Sequence, residues 1–340
     1  MRRTSYLGLS LLLILAVALP GFSQARQPQP KSQAEYIAYM AIYNEQDAQK
    51  KAAAGEKFLT EFKESDFIPN SHRMIIGAYS KAQNWAKVMD AADRAAASPG
   101  TDDTLKAFAF ANAMGAAQST NNVEKVISYG DKVLAIAPND IDTMMVVSTM
   151  IPLKLPADEA GKKAALDKAS NLATKALAAL QPLISQAAAA QKAPLVQADS
   201  QLHATLGLVA FNRPDYKKSI EEYEMALKGN PKDDLAHYYL GADYSVLAGQ
   251  ASKDYQAAVK AENDAKAAKA DQPTIDELSA KRGGFEEDIR KHRDRAIEEF
   301  AIAVAIAGPV AQQARGELTK LWTSKNDNTN GMDEFIAQKK

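Results

Sequence analysis

The sequence predicts an all-α chain made of repeated helix pairs, and three observations support this fold class. Four positions of one helix recur 34 residues later: His203, Leu206, Gly207 and Ala210 return as His237, Leu240, Gly241 and Tyr244. Apolar residues recur at three- and four-residue steps through most of the chain, which indicates amphipathic helices. Only 17 glycines and 14 prolines interrupt 340 residues that are rich in alanine, lysine and glutamate. A repeating unit of this length is typical of stacked helix pairs.

The second helix of the repeated unit, and its end, are predicted from the sizes of the packing residues and from residues that terminate helices. Gly207 has no side chain, so a neighbouring helix can approach its backbone closely. Tyr223 and Ala226 lie three residues apart on one helical face, where the aromatic ring fills the space that alanine leaves. Pro231 follows Gly229-Asn230, an order that is typical of a helix end.

This spacing resembles that of the tetratricopeptide repeat (TPR). The chain is similar to TPR proteins of the exported bacterial type. The resemblance is strongest in residues 200–244 and assigns to packing His203, Leu206, Gly207, Tyr223, Ala226, Pro231, His237, Leu240, Gly241 and Tyr244. It implies a right-handed superhelical solenoid of helix-turn-helix pairs that ends in a C-terminal capping helix.

The composition narrows the class of function. Hydrophobic residues make up 46% of the chain and charged residues 24%, as in a folded globular protein. With 41 basic and 42 acidic residues, the net charge of -1 argues against nucleic acid as a partner. The chain has no cysteine, so we expect neither disulfides nor a lipoprotein anchor.

The N-terminus has the features of a secretory signal peptide. Arg2 and Arg3 precede the apolar run 7–19, and small residues surround a cleavage position after Ala25. The run is shorter than the roughly 20 residues that span a bilayer. We therefore expect residues 1–25 to be removed and the protein to be periplasmic or secreted, without a stable membrane span. An uncleaved anchor is the alternative.

Residues 26–32 form a polar leader, and residues 33–182 are predicted to form N-terminal helix pairs. The first two pairs carry Tyr, Phe, Ile and Trp residues at helical spacing, ending near Pro99-Gly100. In the third pair Gly130 occupies a position where the repeat has an aromatic residue, which predicts a looser joint. Pro152 and Pro156 interrupt the fourth pair.

Residues 183–199 are an Ala/Gln-rich stretch and are predicted to be the junction to further TPR pairs at 200–309. A charged helical insertion at 249–292 is expected to leave the solenoid and return. Within it, Thr274 after Pro273 predicts the start of a short helix, and Gly283-Gly284 predicts a turn. Residues 310–340 are predicted to form the capping helix and a tail, and the tail is expected to contain a short final helix at 332–337.

The chain offers few groups for chemistry. His72, His203 and His237 share one slot of their repeats and are interpreted as packing residues rather than metal ligands, and His292 as solvated. Carboxylate pairs such as Glu221-Glu222 and Asp233-Asp234 are expected on solvated helix surfaces. Phosphate-binding loops, nucleophile elbows and zinc-protease motifs do not occur in the sequence. We therefore predict a non-enzyme without a cofactor or metal.

The resemblance further implies a concave groove lined by the first helix of each pair, which binds an extended peptide or a partner helix. The residues predicted to point into it are Arg73, Ser80, Asn112, Met145, Leu208, Phe211, Asn212, Tyr238 and Tyr239. Tyr238-Tyr239 and Phe211-Asn212 are the strongest candidates, because rigid aromatics with a polar tip are good anchors. The alternative is that these tyrosines only pack against neighbouring helices. A clamp for a C-terminal carboxylate is incomplete, since Gly77, Asp142 and Val146 occupy positions that would need Asn, Lys and Arg.

The function expected from these features is a protein-interaction scaffold of the cell envelope. The alternative is an accessory or ligand-binding subunit of an envelope enzyme, transporter or outer-membrane assembly system. Unrelated functions share the packing positions of such repeats, so the sequence identifies no particular partner.

Overall fold

The computed structural model describes residues 28–340, so the predicted signal peptide 1–25 lies outside it. Its regular structure in this range is helical, in two compact units that comprise residues 28–176 and 177–340. None of the helices in residues 28–340 combines the length and apolar content needed to cross a membrane. The predicted all-α fold class is confirmed for this part of the chain.

Helices of the first unit follow one another with short turns. They are α1 Gln33–Asn44, α2 Ala48–Glu61, α3 Ile68–Lys81, α4 Trp85–Ala97, α5 Asp103–Ser119, α6 Val123–Ile136, α7 Ile141–Met150, the 3-10 turn Ile151–Leu153 and the start of α8 Glu159–Gln186. From α1 to α7 each helix packs on the next, and α3 also contacts α1 and α5. The odd-numbered helices α1, α3 and α5 therefore lie side by side, as the first helices of stacked pairs do.

Polar caps explain where these helices begin. Asp102, Asn122 and Asp140 each precede a helix, and each side chain accepts a hydrogen bond from the backbone N–H three residues later. Left-handed Gln83 and Asn121, both with φ of 53°, turn the chain between the two helices of a pair. Caps and turns that the local sequence encodes thus set the helix pairs.

The second unit contains the end of α8 and six further helices. These are α9 Ala189–Phe211, α10 Tyr216–Gly229, α11 Asp234–Ala267, α12 Gln272–Ile306, α13 Ala311–Asn326 and α14 Met332–Ala337. Consecutive helices from α9 to α13 pack on each other, and α9 also contacts α11. Most of the predicted junction 183–199 is helical, because α8 continues to Gln186 and α9 runs through Pro194.

The charged insertion 249–292 forms a long antiparallel hairpin from the extensions of α11 and α12. The buried positions Ala248, Ala251 and Ala258 of α11 are small and lie three and seven residues apart. This heptad spacing with alanine lets two helices approach closely. Glu262, only 6% exposed, accepts a hydrogen bond from Arg282 Nε at 2.8 Å across the hairpin and fixes its register.

Two local predictions for this insertion are wrong. The second helix begins at Gln272, capped by Asp271, rather than as a short helix at Thr274. Gly283 and Gly284 lie in the interior of α12 and make no turn. Packing of α12 along α11 overrides the low helix propensity of two adjacent glycines.

Helix α13 occupies the predicted capping segment and packs on α12. Ala314 and Leu318 are fully buried there beside Phe300. The short α14 lies over the same cluster, with Met332 5% and Ile336 6% exposed. The last apolar face of the second unit is therefore covered by the chain itself.

Candidate functional site

The 34-residue repeat produces equivalent surroundings at its two histidines. His203 Nδ1 lies 2.7 Å from Glu222 Oε2, and His237 Nδ1 lies 2.7 Å from Glu299 Oε2. The first pair is 19 residues apart and the second 62, because the α11–α12 hairpin is inserted into the second repeat. His237 Nε2 also lies 3.2 Å from the carbonyl oxygen of Pro231, an exposed turn residue. The two repeats thus join their helices with the same His–Glu contact.

The glycines of the repeat also have equivalent surroundings. A Cβ atom on Gly207 would lie 2.9 Å from the ring of Tyr223, and one on Gly241 would lie 2.7 Å from that of Phe300. Both rings are 1% exposed, and Ala226 and Leu240 are buried as well. Leu206 and Tyr244 are only partly buried, and the fully buried leucine of α9 is Leu202, one turn earlier.

In the first unit the two equivalent positions are filled in the opposite way, with the large residue on the first helix and the small one on the second. Aligning Trp85 with Tyr216 places Ile76 at the position of Gly207 and Ala92 at that of Tyr223, and both are fully buried. In the next pair Met114 faces Gly130, where an added Cβ would lie 3.3 Å from Met114 Sδ and would collide with Val147 Cγ2. The prediction of a loose joint at Gly130 is wrong, because larger partners take up the space.

Four aromatic side chains of the second unit form what we call the aromatic patch: Phe211, Tyr216, Tyr238 and Tyr239, all partly exposed. The Phe211 ring lies edge-on to Tyr239 at 5.2 Å and to Tyr216 at 6.1 Å. Tyr238 lies edge-on to Tyr239 at 5.4 Å. The structure thus brings together the strongest aromatic candidates of the sequence, from α9 and α11.

The aromatic patch rests directly on the core. Tyr239 stacks on the buried Tyr223 with parallel rings 5.6 Å apart, and Tyr238 contacts Phe300 at 5.7 Å. Leu208 packs partly buried against the same cluster as Tyr223. Because the rings under the patch fill the Gly207 and Gly241 positions, its partly exposed rings have fixed orientations.

The polar candidate of this surface is held by its own helix. Asn212 Nδ2 donates a hydrogen bond of 2.8 Å to the carbonyl oxygen of Leu208, one turn earlier. The amide is therefore oriented before any partner binds, with its side chain partly exposed at the end of α9 beside Phe211. This arrangement suits a polar contact at the rim of an aromatic surface.

The candidates of the first unit converge on a residue that sequence reasoning missed. The Arg73 guanidinium lies 5.0 Å from the centre of the Phe108 ring, and Asn112 Nδ2 donates to the Phe108 carbonyl oxygen at 2.8 Å. Phe108 lies one turn before Asn112, which is the signal that could have identified it. Ser80 and Met145, on α3 and α7, are partly buried.

A buried acid in the second unit was also missed. Asp243 is fully buried, its Oδ2 lies 2.7 Å from Ser219 Oγ, and Ser219 Oγ lies 3.1 Å from the Gly207 carbonyl oxygen. One hydroxyl proton cannot serve two acceptors, so a protonated Asp243 that donates to Ser219 completes the chain. Burial raises the pKa of Asp243 to about 7, although its hydrogen bond with Ser219 opposes this.

Two predictions of solvated groups are wrong. His292 lies in the α11–α12 hairpin with its ring 6.0 Å from Tyr244, and burial lowers its pKa. Glu222 is 6% exposed. It contacts His203 of the neighbouring helix α9 and pairs with Lys218 on its own helix α10. Burial raises the pKa of Asp233. Within residues 28–340, no three histidine, aspartate or glutamate side chains are grouped to hold a metal ion.

Replacing His237 with glutamine is expected to cost about 1–3 kcal/mol, with the larger loss at acid pH. Burial by itself lowers the pKa of His237, but the hydrogen bond to Glu299 and its charge outweigh burial and raise it. The stabilisation is therefore complete below the ordinary value of 6.5 and declines as pH rises through the raised folded value. Urea unfolding at pH 5.5 and 9 measures it. His292→Gln is the control of opposite sign, and an equal loss at both pH values for His237→Gln would contradict the expectation.

The repeated His–Glu and Gly–aromatic contacts show that the chain is an all-α protein with internally repeated helix pairs. Neither a described protein family nor a curated protein matches its sequence. Among solved structures, it is similar to a tetratricopeptide repeat protein from Parabacteroides merdae, with 10% identity over 85% of this chain and 99% of that one and a TM-score of 0.43. It is also similar to the human IFIT1 dimer with m7Gppp-AAAA, with 15% identity over 92% and 69% of the chains and a TM-score of 0.33. The all-α repeat fold is defined by the contacts within the chain itself.

Proposed function

We propose that the protein is a non-enzymatic interaction scaffold, exported to the periplasm or secreted, which binds a peptide or a partner helix at the aromatic patch. The observation that carries this proposal is the convergence of Phe211, Tyr238 and Tyr239 on one partly exposed surface. The ring of Phe211 on α9 lies 5.2 Å from that of Tyr239 on α11, and the adjacent ring of Tyr238 lies 5.4 Å from Tyr239.

The physical properties of the patch support a binding role. Tyrosine and phenylalanine supply large contact areas and lose little conformational entropy, since few bonds rotate. Stacking on Tyr223 and Phe300 fixes the rings further, so a partner would not have to order them. Asn212 offers an oriented amide at the edge, which suits the backbone of an extended peptide or the polar side of a helix.

Replacing Phe211 and Tyr238 together with alanine is expected to abolish recovery of the partner by crosslinking from envelope extracts of the native host. Loss of two anchors of about 2 kcal/mol each weakens binding by about a thousandfold, if their effects add. Met225→Ala, a change at a 41% exposed residue of α10, serves as the matched control. An unchanged set of crosslinked proteins, with both variants folded by circular dichroism, would show that the patch is not the binding surface.

The second candidate function, a ligand-binding accessory subunit, is favoured by a pocket of about 310 Å³ between α12, α13 and α14. Trp322 and Phe335 form an aromatic wall with ring centres 5.2 Å apart. Lys325 pairs with Asp294 and Lys339 with Glu298, each at 2.9 Å, beside the same pocket. Its size is at the lower end for small-molecule sites.

Tryptophan fluorescence separates the two functions. The chain has two tryptophans, so Trp85→Phe leaves Trp322 as the reporter of this pocket. A saturable change in its emission with a peptide, glycan or other small molecule would support the accessory-subunit function. Export is tested separately by fractionation and by sequencing the N-terminus, where cleavage after Ala25 is expected.

A further inference from the structure

Helix α1, the first helix within residues 28–340, presents an apolar face that no described residue covers. Tyr36, Ile37 and Tyr43 of α1 are 48%, 59% and 61% exposed, more than most large apolar side chains in residues 28–340. Met40 lies between them on the same side of the helix and is partly exposed. The opposite side, with Ile42 fully buried, packs against α2 and α3. Exposed apolar stripes of this kind mark contact surfaces.

At the C-terminal end, by contrast, the apolar face of the last long helix is covered. There α13 is covered by α14, whose Met332 and Ile336 are almost fully buried. End repeats of helical arrays need such a cover, because a stacked pair leaves one apolar face open. In the described chain α1 has no equivalent cover.

The polar leader does not provide the cover. Lys31 Nζ bonds to the carbonyl oxygen of Glu64, and Pro28 lines a shallow pocket with Pro69 and Pro99. Residues 28–31 therefore run toward the α2–α3 turn and not along α1. The leader 26–32 consists of Arg, Gln, Pro, Lys and Ser residues, so it has no large apolar side chain that could cover α1.

The charge of α1 fits a second copy of the same helix. Its one charged residue, Glu35, is 2% exposed, and the exposed positions carry only Tyr, Ile, Ala, Gln and Asn. Two such faces meet without repulsion between like charges. The stripe also needs no complementary partner, because an isologous contact places the same surface on both sides.

We propose that the protein forms a symmetric dimer in which α1 packs antiparallel against α1 of a second copy, with Ile37 and Met40 near the twofold axis. A helix of 12 residues is about 18 Å long, so the contact is small compared with the roughly 1,200–2,000 Å² that standard protein interfaces bury. The dimer is therefore weak and depends on protein concentration. It does not depend on the aromatic patch.

Sedimentation equilibrium of the purified protein over a range of concentrations tests the dimer. The wild type is expected to approach twice the monomer mass, and Ile37→Glu to raise the dissociation constant at least about tenfold, because a carboxylate would be buried against its copy. Leu153→Glu, at a residue that is 52% exposed outside α1, is the matched control and should leave the dimer intact. A wild type that stays monomeric at every soluble concentration, or an Ile37→Glu variant that dimerises like the wild type, would overturn the proposal.

Introduced cysteines give a second, independent readout. Since the chain has no cysteine, Ile37→Cys provides a single thiol, and oxidation is expected to link two copies through it. Met225→Cys, on the exposed surface of α10, is expected to remain largely unlinked. Equal linkage of both variants would mean random collision and would overturn the α1 contact.

Discussion

Asp243→Asn is expected to stabilise the protein above pH 7 and to remove part of the pH dependence of its stability. In the folded chain the pKa of Asp243 is raised from 3.8 to about 7 by burial. An unfolded chain ionises this group near pH 4, whereas the folded chain retains the proton. Wild-type stability therefore falls as pH rises from about 4 to about 7 and changes little beyond, as far as this group is concerned.

Asparagine keeps the hydrogen bond without the ionisation. Its amide can donate to Ser219 Oγ as the protonated acid does, which leaves the hydroxyl free to donate to the Gly207 carbonyl oxygen. At about 1.36 kcal/mol per pKa unit, the gain above pH 7 is limited to about 4 kcal/mol. Near pH 4 the variant and the wild type should be about equally stable.

Urea unfolding of both proteins at pH 4, 5.5, 7 and 8.5 measures the difference. Asp264→Asn is the matched control on the same helix, because the Asp264 side chain is 66% exposed and its pair with Lys260 contributes little. A wild-type-like pH profile for Asp243→Asn would show that Asp243 is ionised in the fold, and that its charge is accommodated by the surrounding groups.

Gly207→Ile is expected to destabilise the second unit by about 3 kcal/mol, and Tyr223→Ala to relieve much of that loss. Alone, isoleucine at position 207 meets the Tyr223 ring, since even a Cβ atom would lie only 2.9 Å from it. Alone, Tyr223→Ala empties a fully buried site and costs about 3–5 kcal/mol. The double variant recreates the arrangement of Ile76 and Ala92 in the first unit.

A double-mutant cycle by urea unfolding measures this exchange. We expect the double variant to be about 2–3 kcal/mol more stable than the sum of the single changes predicts. Gly249→Ile is the control, because a Cβ atom there contacts nothing within 4 Å. Additive losses would mean that the two positions are not size-coupled, and that the resemblance between the units stops at the backbone.

The sequence was most informative where residue type acts locally. The 34-residue recurrence of His203 and Gly207 predicted repeated surroundings, and in the structure both histidines of the repeat lie 2.7 Å from a glutamate oxygen. From the same register, Phe211 and Tyr239 were expected to line one groove; that their rings contact each other, with centres 5.2 Å apart, is seen only in the structure. Glu222 and Glu299 were missed as partners of the histidines, since a helix surface and a helix interface look alike in a charged sequence.

Predictions failed where a distant segment decides the outcome. Gly130 predicted a gap, but Met114 and Val147 fill the space beside it. Gly283-Gly284 predicted a turn, but packing against α11 keeps α12 helical there. Asp243 reads as an ordinary acid on a long helix, yet complete burial beside Ser219 favours its neutral form. In each case the local pattern omits the residue that supplies the packing or removes the water.

By itself, the sequence determined that the chain is helical, that its helices come in pairs and that one unit recurs, because periodicity, caps and small residues act within a few turns of helix. Only the tertiary structure decided which ring fills which glycine position, which carboxyl group is buried and which apolar face is left uncovered. Those outcomes depend on contacts between residues that are far apart in the chain. A local sequence pattern does not predict the free energies of such contacts.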